Sequence, residues 1–414
     1  MPTYKEDGYR SALIGNARRR GIAIDPAEQY ARGGIEARVI DVPADVAMSR
    51  GVNIDGDDER IIESELERID LVGNMSEALR WARLDGGSAL LLLTDTGMLS
   101  DPLPDTIGKL NEINVIELHQ LTVAPGGYYN DPTLSSYGRP EFYQVRPANV
   151  GGQQSQAYFI VHESRLLPVR GESLPTRMKM SARVPWQGRS AADASFDTIS
   201  RYRESLRLSM EVLKRKQQAV HKMSGLAELI QNGQEDLVRK RVDLVDDVRS
   251  LMNGVAVDAE DDYTVYDQGL SGIRELIGEF QIAVSADSGI PVTSLFGRSS
   301  GGLNSTGEGD LEGLYDMCEG IQRTSAQPAI VRLVDAITRQ RGINAPDKWS
   351  VEWPSLWTPT DAQQADTRLK NAQAMKAEAD SRMIDLDTGT VTGDEVRDQL
   401  ARDGLYGMEI GDGD

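Results

Sequence analysis

The chain has 414 residues, with 45 Lys and Arg against 65 Asp and Glu, for a formal net charge of −20. Hydrophobic residues make up 39% and aromatics 6%, so the core must rest on Leu, Ile, Val and Ala, and the length calls for more than one subdomain. So acidic a chain does not grip nucleic acid through a wide basic surface, and its single cysteine, Cys318, allows neither an intrachain disulfide nor a multi-cysteine zinc site.

No run approaches the roughly 20 apolar residues that span a bilayer. Arg18, Arg19 and Arg20 come without the long apolar segment of a secretory signal. Cytoplasmic synthesis without membrane insertion is the expectation.

Pro43 divides the early chain. Residues 34–42 read as extended or irregular, and residues 44–50 as a short helix. Ile61, Ile62, Leu66 and Ile69 recur at near-helical spacing and predict a helix over 58–72, with another over 75–84 that Gly86 and Gly87 end. Residues 88–94 predict a buried strand. Between 114 and 170 the pattern becomes short β-branched and aromatic runs. Strands are expected at 115–123, 141–146, 157–161 and 166–169, with turns at 125–127 and 151–152. The fold class is α+β.

Residues 196–223 contain neither Gly nor Pro and place Ile199, Tyr202, Leu206, Met210, Leu213 and Val220 on one stripe, which predicts a long amphipathic helix. A short segment at 226–230, a charged helix at 235–252 and a strand pair at 254–257 and 263–266 read as an excursion between two helices. The second of these, over 270–288, presents Ile273, Leu276, Ile277, Phe280 and Val284 and stops before Gly289-Ile290-Pro291. A polar, Gly-rich loop follows, then a helix over 309–340 bent near Pro328. Trp349, Trp353 and Trp357 are expected in an extended anchor, followed by helices at 361–381 and 394–403. No repeat of 20 to 50 residues is present.

Catalytic signals are weak. His119, His162 and His221 fall in different elements and read as structural or surface residues rather than general bases. Gly297-Arg298-Ser299-Ser300-Gly301 has the Gly-x-Ser-x-Gly spacing but follows a helix and a proline, not the strand a nucleophile elbow requires. The loop also lacks the Gly-Lys-Ser/Thr ending of a phosphate-binding loop. The pairs Asp57/Asp58, Asp246/Asp247 and Asp261/Asp262 read as solvated faces, so no catalytic residue, metal or cofactor is assigned.

One segment is distinctive. A helix ending at Ser288-Gly289-Ile290-Pro291-Val292-Thr293-Ser294-Leu295-Phe296-Gly297 leads into Gly302-Leu303-Asn304-Ser305-Thr306-Gly307-Glu308 and another helix. This resembles tailed-bacteriophage portal proteins. Two shorter matches agree in order, Phe159-Ile160-Val161-His162-Glu163-Ser164-Arg165 and Trp186-Gln187-Gly188-Arg189-Ser190. The resemblance extends over about residues 40–341.

The resemblance implies a ring, usually of twelve subunits, at the capsid vertex of a virion assembled in a host bacterium. Double-stranded DNA passes through such a ring during packaging and ejection. It implies a wing at 1–194, stem helices at 195–223 and 270–288, a small clip excursion at 224–269 and a tunnel loop at 289–308. The wing then resumes at 309–360, and a helical crown follows at 361–414. Implied partners are the terminase large subunit, a head-tail adaptor and the major capsid or scaffold protein. Within the tunnel loop, Arg298, Asn304 and Ser305 are the candidates for phosphate contact. In the clip, Arg239, Lys240 and Arg241 are the candidates for an acidic partner. The alternatives are another ring-forming phage protein such as an adaptor, or a hydrolase.

Overall fold

The computed structural model describes residues 26–147, 158–215, 219–222, 230–234, 236–240, 262–265, 272–297, 307–344, 348–357 and 361–388, with single positions at 243, 346, 392 and 393. The chain divides into two compact units at Leu356/Trp357.

The first unit opens with helices α1 (Pro26–Ala31) and α2 (Ile35–Met48). The irregular stretch expected at 34–42 is instead the first half of α2, and Pro43 lies inside the helix. Proline removes the N–H that would bond the carbonyl four residues back, here that of Val39. That carbonyl accepts from the buried Arg83 guanidinium, from Nη2 at 2.9 Å and Nε at 3.2 Å. The helix therefore continues, with Val39, Ile40, Ala44, Ala47 and Met48 buried along one face.

Strand β1 (Asn53–Asp55) leads to α3 (Ile61–Arg68) and α4 (Leu71–Asp85). The single helix expected over 58–72 is broken at Asp70, which takes left-handed backbone angles (φ 48°, ψ 56°) and accepts from Gly73 N–H through its carboxylate at 3.2 Å. Short polar side chains tolerate that conformation because they satisfy the backbone locally. The Asp57 carboxylate caps the start of α3, accepting from Ile61 N–H at 2.9 Å and Glu63 N–H at 3.0 Å, and there the left-handed residue is Arg60 at φ 53°.

Strand β2 (Gly87–Thr94) is central in an antiparallel sheet with β3 (Leu110–Glu117) and β7 (Leu166–Arg170), in the order β3-β2-β7. Leu90 lies opposite both Val115 and Leu167. Successive side chains point to opposite faces, and both faces are covered. Leu90 and Leu92 join the main core of α2, α4 and the later helices, while Ala89 and Leu91 join a second cluster with Tyr143, Val145, Val161 and Trp186. This explains why residues 89–93 read as an unbroken apolar run.

The strand expected at 115–123 divides. β3 ends at Glu117, a 3-10 turn occupies Leu118–Gln120, and β4 (Leu121–Val123) enters a second sheet with β5 (Phe142–Val145) and β6 (Phe159–His162), in the order β4-β5-β6. Arg165 is 1% exposed and pins these parts together. It donates to Asp101 O, Thr94 Oγ1 and Thr96 O.

Helix α5 (Ala191–Arg215) is the long amphipathic helix. It ends before residue 223, and residues 219–222 form β8 (Ala219–Lys222), which pairs with β9 (Asp262–Val265). The strand expected at 263–266 is thus found, but with this earlier partner. β-branched Val220 suits either state, and pairing with β9 supplies the extended one. Residues 254–257, most of the helix expected at 235–252 and of the segment at 226–230, and the helix expected at 394–403 lie outside the described residues.

Helix α6 (Ile273–Ser288) packs along α5, followed by α7 (Val292–Phe296) and α8 (Glu308–Ile321). The long helix expected over 309–340 is interrupted by a π-helical turn, Gln322–Ala326, before α9 (Gln327–Thr338) begins with Pro328 in its first turn. Gln322, 2% exposed, donates its side-chain amide to Ala47 O at 2.7 Å. Ala329, Ile330, Leu333, Val334 and Ile337 bury the face of α9 in the main core. Strand β10 (Ser350–Glu352) pairs with β1 and carries the expected extended Trp segment, with Trp349 and Trp353 packed on the main core.

The second unit contains α10 (Asp361–Asp387). Leu369, Met375, Met383 and Ile384 are all more than half exposed on it.

Candidate channel loop and assembly surfaces

The distinctive segment at 288–308 is anchored at both roots. Gly289 ends α6 in the left-handed region at φ 71°, and Pro291 caps α7, which Gly297 ends at φ 66°. The Ser285 hydroxyl donates to Ile290 O, and Ile290 and Leu295 are fully buried. Arg38 on α2 donates to Ser294 O at 2.7 Å, and the Phe296 ring stands edge-on to Tyr202 of α5, 5.5 Å between centroids. On the far side, Gly307 (φ 74°) opens α8, whose Leu314 and Cys318 are buried. Ile290, Leu295 and Phe296 therefore seat the chain that follows α6 against the neighbouring helices. Arg298, Asn304 and Ser305, the expected phosphate contacts, lie outside the described residues.

α5 and α6 change character along their length. Ile199 and Tyr202 are buried near the start of α5, whereas Leu206, Leu208, Met210 and Leu213 are 36–55% exposed. Leu276 and Ile282 on α6 are each 53% exposed, while Val284 near its end is buried. Thr198 donates to Asp287 between the two helices, and Arg203 pairs with Glu36 of α2 at 2.6 Å. The start of α5 and the end of α6 are thus built into the core, while Leu206, Leu208, Met210, Leu213, Leu276 and Ile282 present apolar side chains to solvent. Arg239 and Lys240 are exposed in a short helical stretch at 236–240, and Arg241 lies outside the described residues.

The described histidines have different surroundings. His162 is 6% exposed and caps a turn, its Nδ1 accepting from Ser164 N–H at 3.2 Å, and desolvation lowers its pKa. His119 Nδ1 lies 3.0 Å from Glu117, whose hydrogen bond raises the His119 pKa. Asp85 completes a group of three side chains with one donor atom each, all within 4.8 Å of one another. The sequence carries no spacing signal for this group, because it joins the end of α4 to the end of β3 and the turn beyond. The side chain of His221 lies outside the described residues. Cys318 is fully buried beside Arg83, and burial pushes its thiol up to about 12, which leaves it protonated and inert near neutral pH.

Compared with known families, residues 24–377 match the family described as phage portal protein. This chain belongs to the phage portal protein family. The match bears out the resemblance carried by residues 288–308 and selects the portal reading over an adaptor. Among the relatives of this portal protein, an uncharacterized protein of Haemophilus influenzae is 28% identical over 340 residues, spanning 82% of this chain and 73% of its own. Two proteins named anti-CBASS protein Acb1 are also similar. The one from Caulobacter sp. is 28% identical over 82% of this chain, and the one from Sphingomonas paeninsulae is 24% identical over 91%. The portal protein spans 55% and 60% of those two proteins' lengths. Its fold is shared with a chain of the virion of a native gene transfer agent particle, at TM-score 0.52 and 13% identity, with 92% and 94% of the two chains covered. It is also shared with a chain from the neck of the native particle computed with C12 symmetry, at TM-score 0.51 and 13% identity, with 91% of each covered. Among the described residues no helix is long and apolar enough to cross a membrane.

Proposed function

We propose that twelve copies of this portal protein form a ring at the capsid vertex, around a channel through which double-stranded DNA enters and leaves the particle, and that the ring acts as a conduit rather than a catalyst. The observation that carries this reading is the family match across residues 24–377. Three further observations support it. The fold resembles a neck protein of a particle treated with C12 symmetry. The apolar side chains of Leu206, Met210, Leu213, Leu276 and Ile282 stand exposed in the single subunit, as expected of residues that neighbouring copies cover. At −20 per subunit, a twelve-membered ring would carry about −240 formal charge, which limits the phosphate contacts that would arrest sliding DNA.

In this reading residues 1–194 and 309–360 are the wing, 195–223 and 270–288 the stem, 224–269 the clip and 361–414 the crown. Helix α5, within the first stem segment of this reading, runs Ala191–Arg215. Residues 289–308 are the tunnel loop, with Arg298, Asn304 and Ser305 touching phosphates in transit. Arg239, Lys240 and Arg241 face an acidic partner at the clip. The terminase large subunit, a head-tail adaptor and the capsid or scaffold protein are the docking partners, and the host bacterial cytoplasm is the site of synthesis.

Negative-stain imaging with mass determination tests the ring. A dozen subunits around an open channel is the expected result, and a stable closed dimer would overturn it. Deleting residues 299–304 tests the loop. Ring assembly should survive while packaging or retention of DNA falls, and unchanged packaging would remove the loop's role.

A further inference from the structure

We propose that Asp85, Glu117 and His119 bind a divalent transition-metal ion that ties the end of α4 to the junction between the two sheets. One oxygen of each carboxylate and one imidazole nitrogen lie within 4.8 Å of one another. Ligands around such an ion sit about 3.0 to 3.5 Å apart at bond lengths of about 2.1 Å, so side-chain rotation of about 1 Å closes the set.

The backbone that carries the three donors is held independently of any ion. Asp85 is the last residue of α4, and the next residue, Gly86, turns at φ 86°. The Gly86 carbonyl accepts from Gly188 N–H at 2.7 Å and Gly171 N–H at 3.1 Å. Glu117 is the last residue of β3, and its N–H donates to Gln120 Oε1 at 3.1 Å while its own carboxylate caps the same turn. His119 lies within that turn, and Arg183 donates to its carbonyl at 3.3 Å. Three elements thus meet at preset positions, and little ordering is left for an ion to impose.

Charge and donor type agree. The carbonyls at the end of α4 carry the negative end of the helix dipole, and two carboxylates add to it there. Arg183 is a nearby cation that offsets part of this charge. A divalent ion offsets more of it. An imidazole nitrogen beside two carboxylates suits zinc, manganese, cobalt or nickel better than calcium or magnesium, which prefer all-oxygen shells. His119 is more than half exposed, so water can complete the coordination. The competing description is a plain ion pair between Glu117 and a protonated His119.

The test titrates Co²⁺ into the full chain at pH 7.5, read by calorimetry and by visible absorption, with Zn²⁺ as competitor. Saturable uptake of one ion per subunit is expected, weakened about 10- to 100-fold in His119→Ala and in Asp85→Asn. Glu67→Gln, an exposed acid on α3, should leave it unchanged. The Asp85 variant leaves the turn cap of Glu117 intact, so a folding defect at that cap cannot imitate the result. Absence of saturable uptake at millimolar ion, or uptake indifferent to both substitutions, would reduce the group to an ion pair and overturn the proposal.

Discussion

Pro43 and Arg83 are complementary through one atom, the carbonyl oxygen of Val39. The proline withholds the N–H that this oxygen would accept within α2, and the Arg83 guanidinium on α4 donates to it twice. Both residues are buried, Arg83 at 7% exposure, and desolvation lowers the arginine's pKa. A cation removed from water is tolerated because its hydrogen bonds go to a carbonyl that has lost its own donor. Replacing Arg83 with Met should cost about 2 to 4 kcal/mol in chemical denaturation, since a buried carbonyl is then left unsatisfied. In a Pro43→Ala background the backbone N–H at that position returns and restores the helical bond. There the same change should cost about 1 kcal/mol less, and equal costs in both backgrounds would refute the linkage.

Arg165 makes a second prediction of the same kind at a different joint. Its three acceptors belong to β2 and the loop that follows it. Arg165→Lys keeps the charge but has no planar fork to reach all three. It should lower stability by about 2 to 3 kcal/mol, read as a shift in denaturation midpoint without a change in slope.

The exposed apolar residues of α5 and α6 should separate assembly from folding. Met210→Glu together with Leu276→Glu places charge where the ring reading puts a neighbouring copy. Both positions are more than half exposed, so subunit stability should move by about 0.5 kcal/mol or less for each. Mass photometry should show the ring lost and the subunit folded. Intact rings would move the contact elsewhere.

His162 and Glu65 each weaken the first unit in acid, with the same sign, while His119, whose pKa its Glu117 hydrogen bond raises, acts in the opposite sense. The folded pKa of His162 lies below its ordinary value because of desolvation. The unfolded chain therefore binds the extra proton first, and stability falls as pH drops from about 6.5 through the lowered value. Glu65 is also lowered, chiefly by its hydrogen bond from Arg68. Its contribution is present above the ordinary carboxylate pKa and is lost as pH falls through the folded one. His162→Asn should flatten the upper step and Glu65→Gln the lower one in melting temperature against pH.

The main core offers a control on all of these. Leu333 is fully buried on α9 among residues from several helices. Leu333→Ala should cost about 2 to 5 kcal/mol by transfer and cavity terms. A smaller loss in thermal denaturation would mean that the core around α9 collapses to fill the space the side chain leaves.

Element type and order were largely legible in the chain. The apolar run at 89–93, the stripe from Ile199 to Leu213 and the stop at Gly289-Ile290-Pro291 each report a local requirement: a strand covered on both faces, a helix with one apolar side, a backbone that cannot continue helical. The portal motif at 288–308 was equally legible, because its residues Ile290 and Leu295 must be buried to seat the chain that follows α6. Other features depend on groups far apart in the chain. Pro43 reads as a break until Arg83, on a different helix, supplies the missing donor. Residues 219–222 read as helix until β9 offers a strand to pair with. Asp85, Glu117 and His119 carry no common spacing, and only the meeting of α4 with the end of β3 brings their donor atoms together. Local pattern sets what each segment prefers, since propensity and periodicity act over a few residues. Tertiary contact decides where a buried carbonyl, a strand edge or a charge finds its partner, because that free energy exists only once distant segments pack.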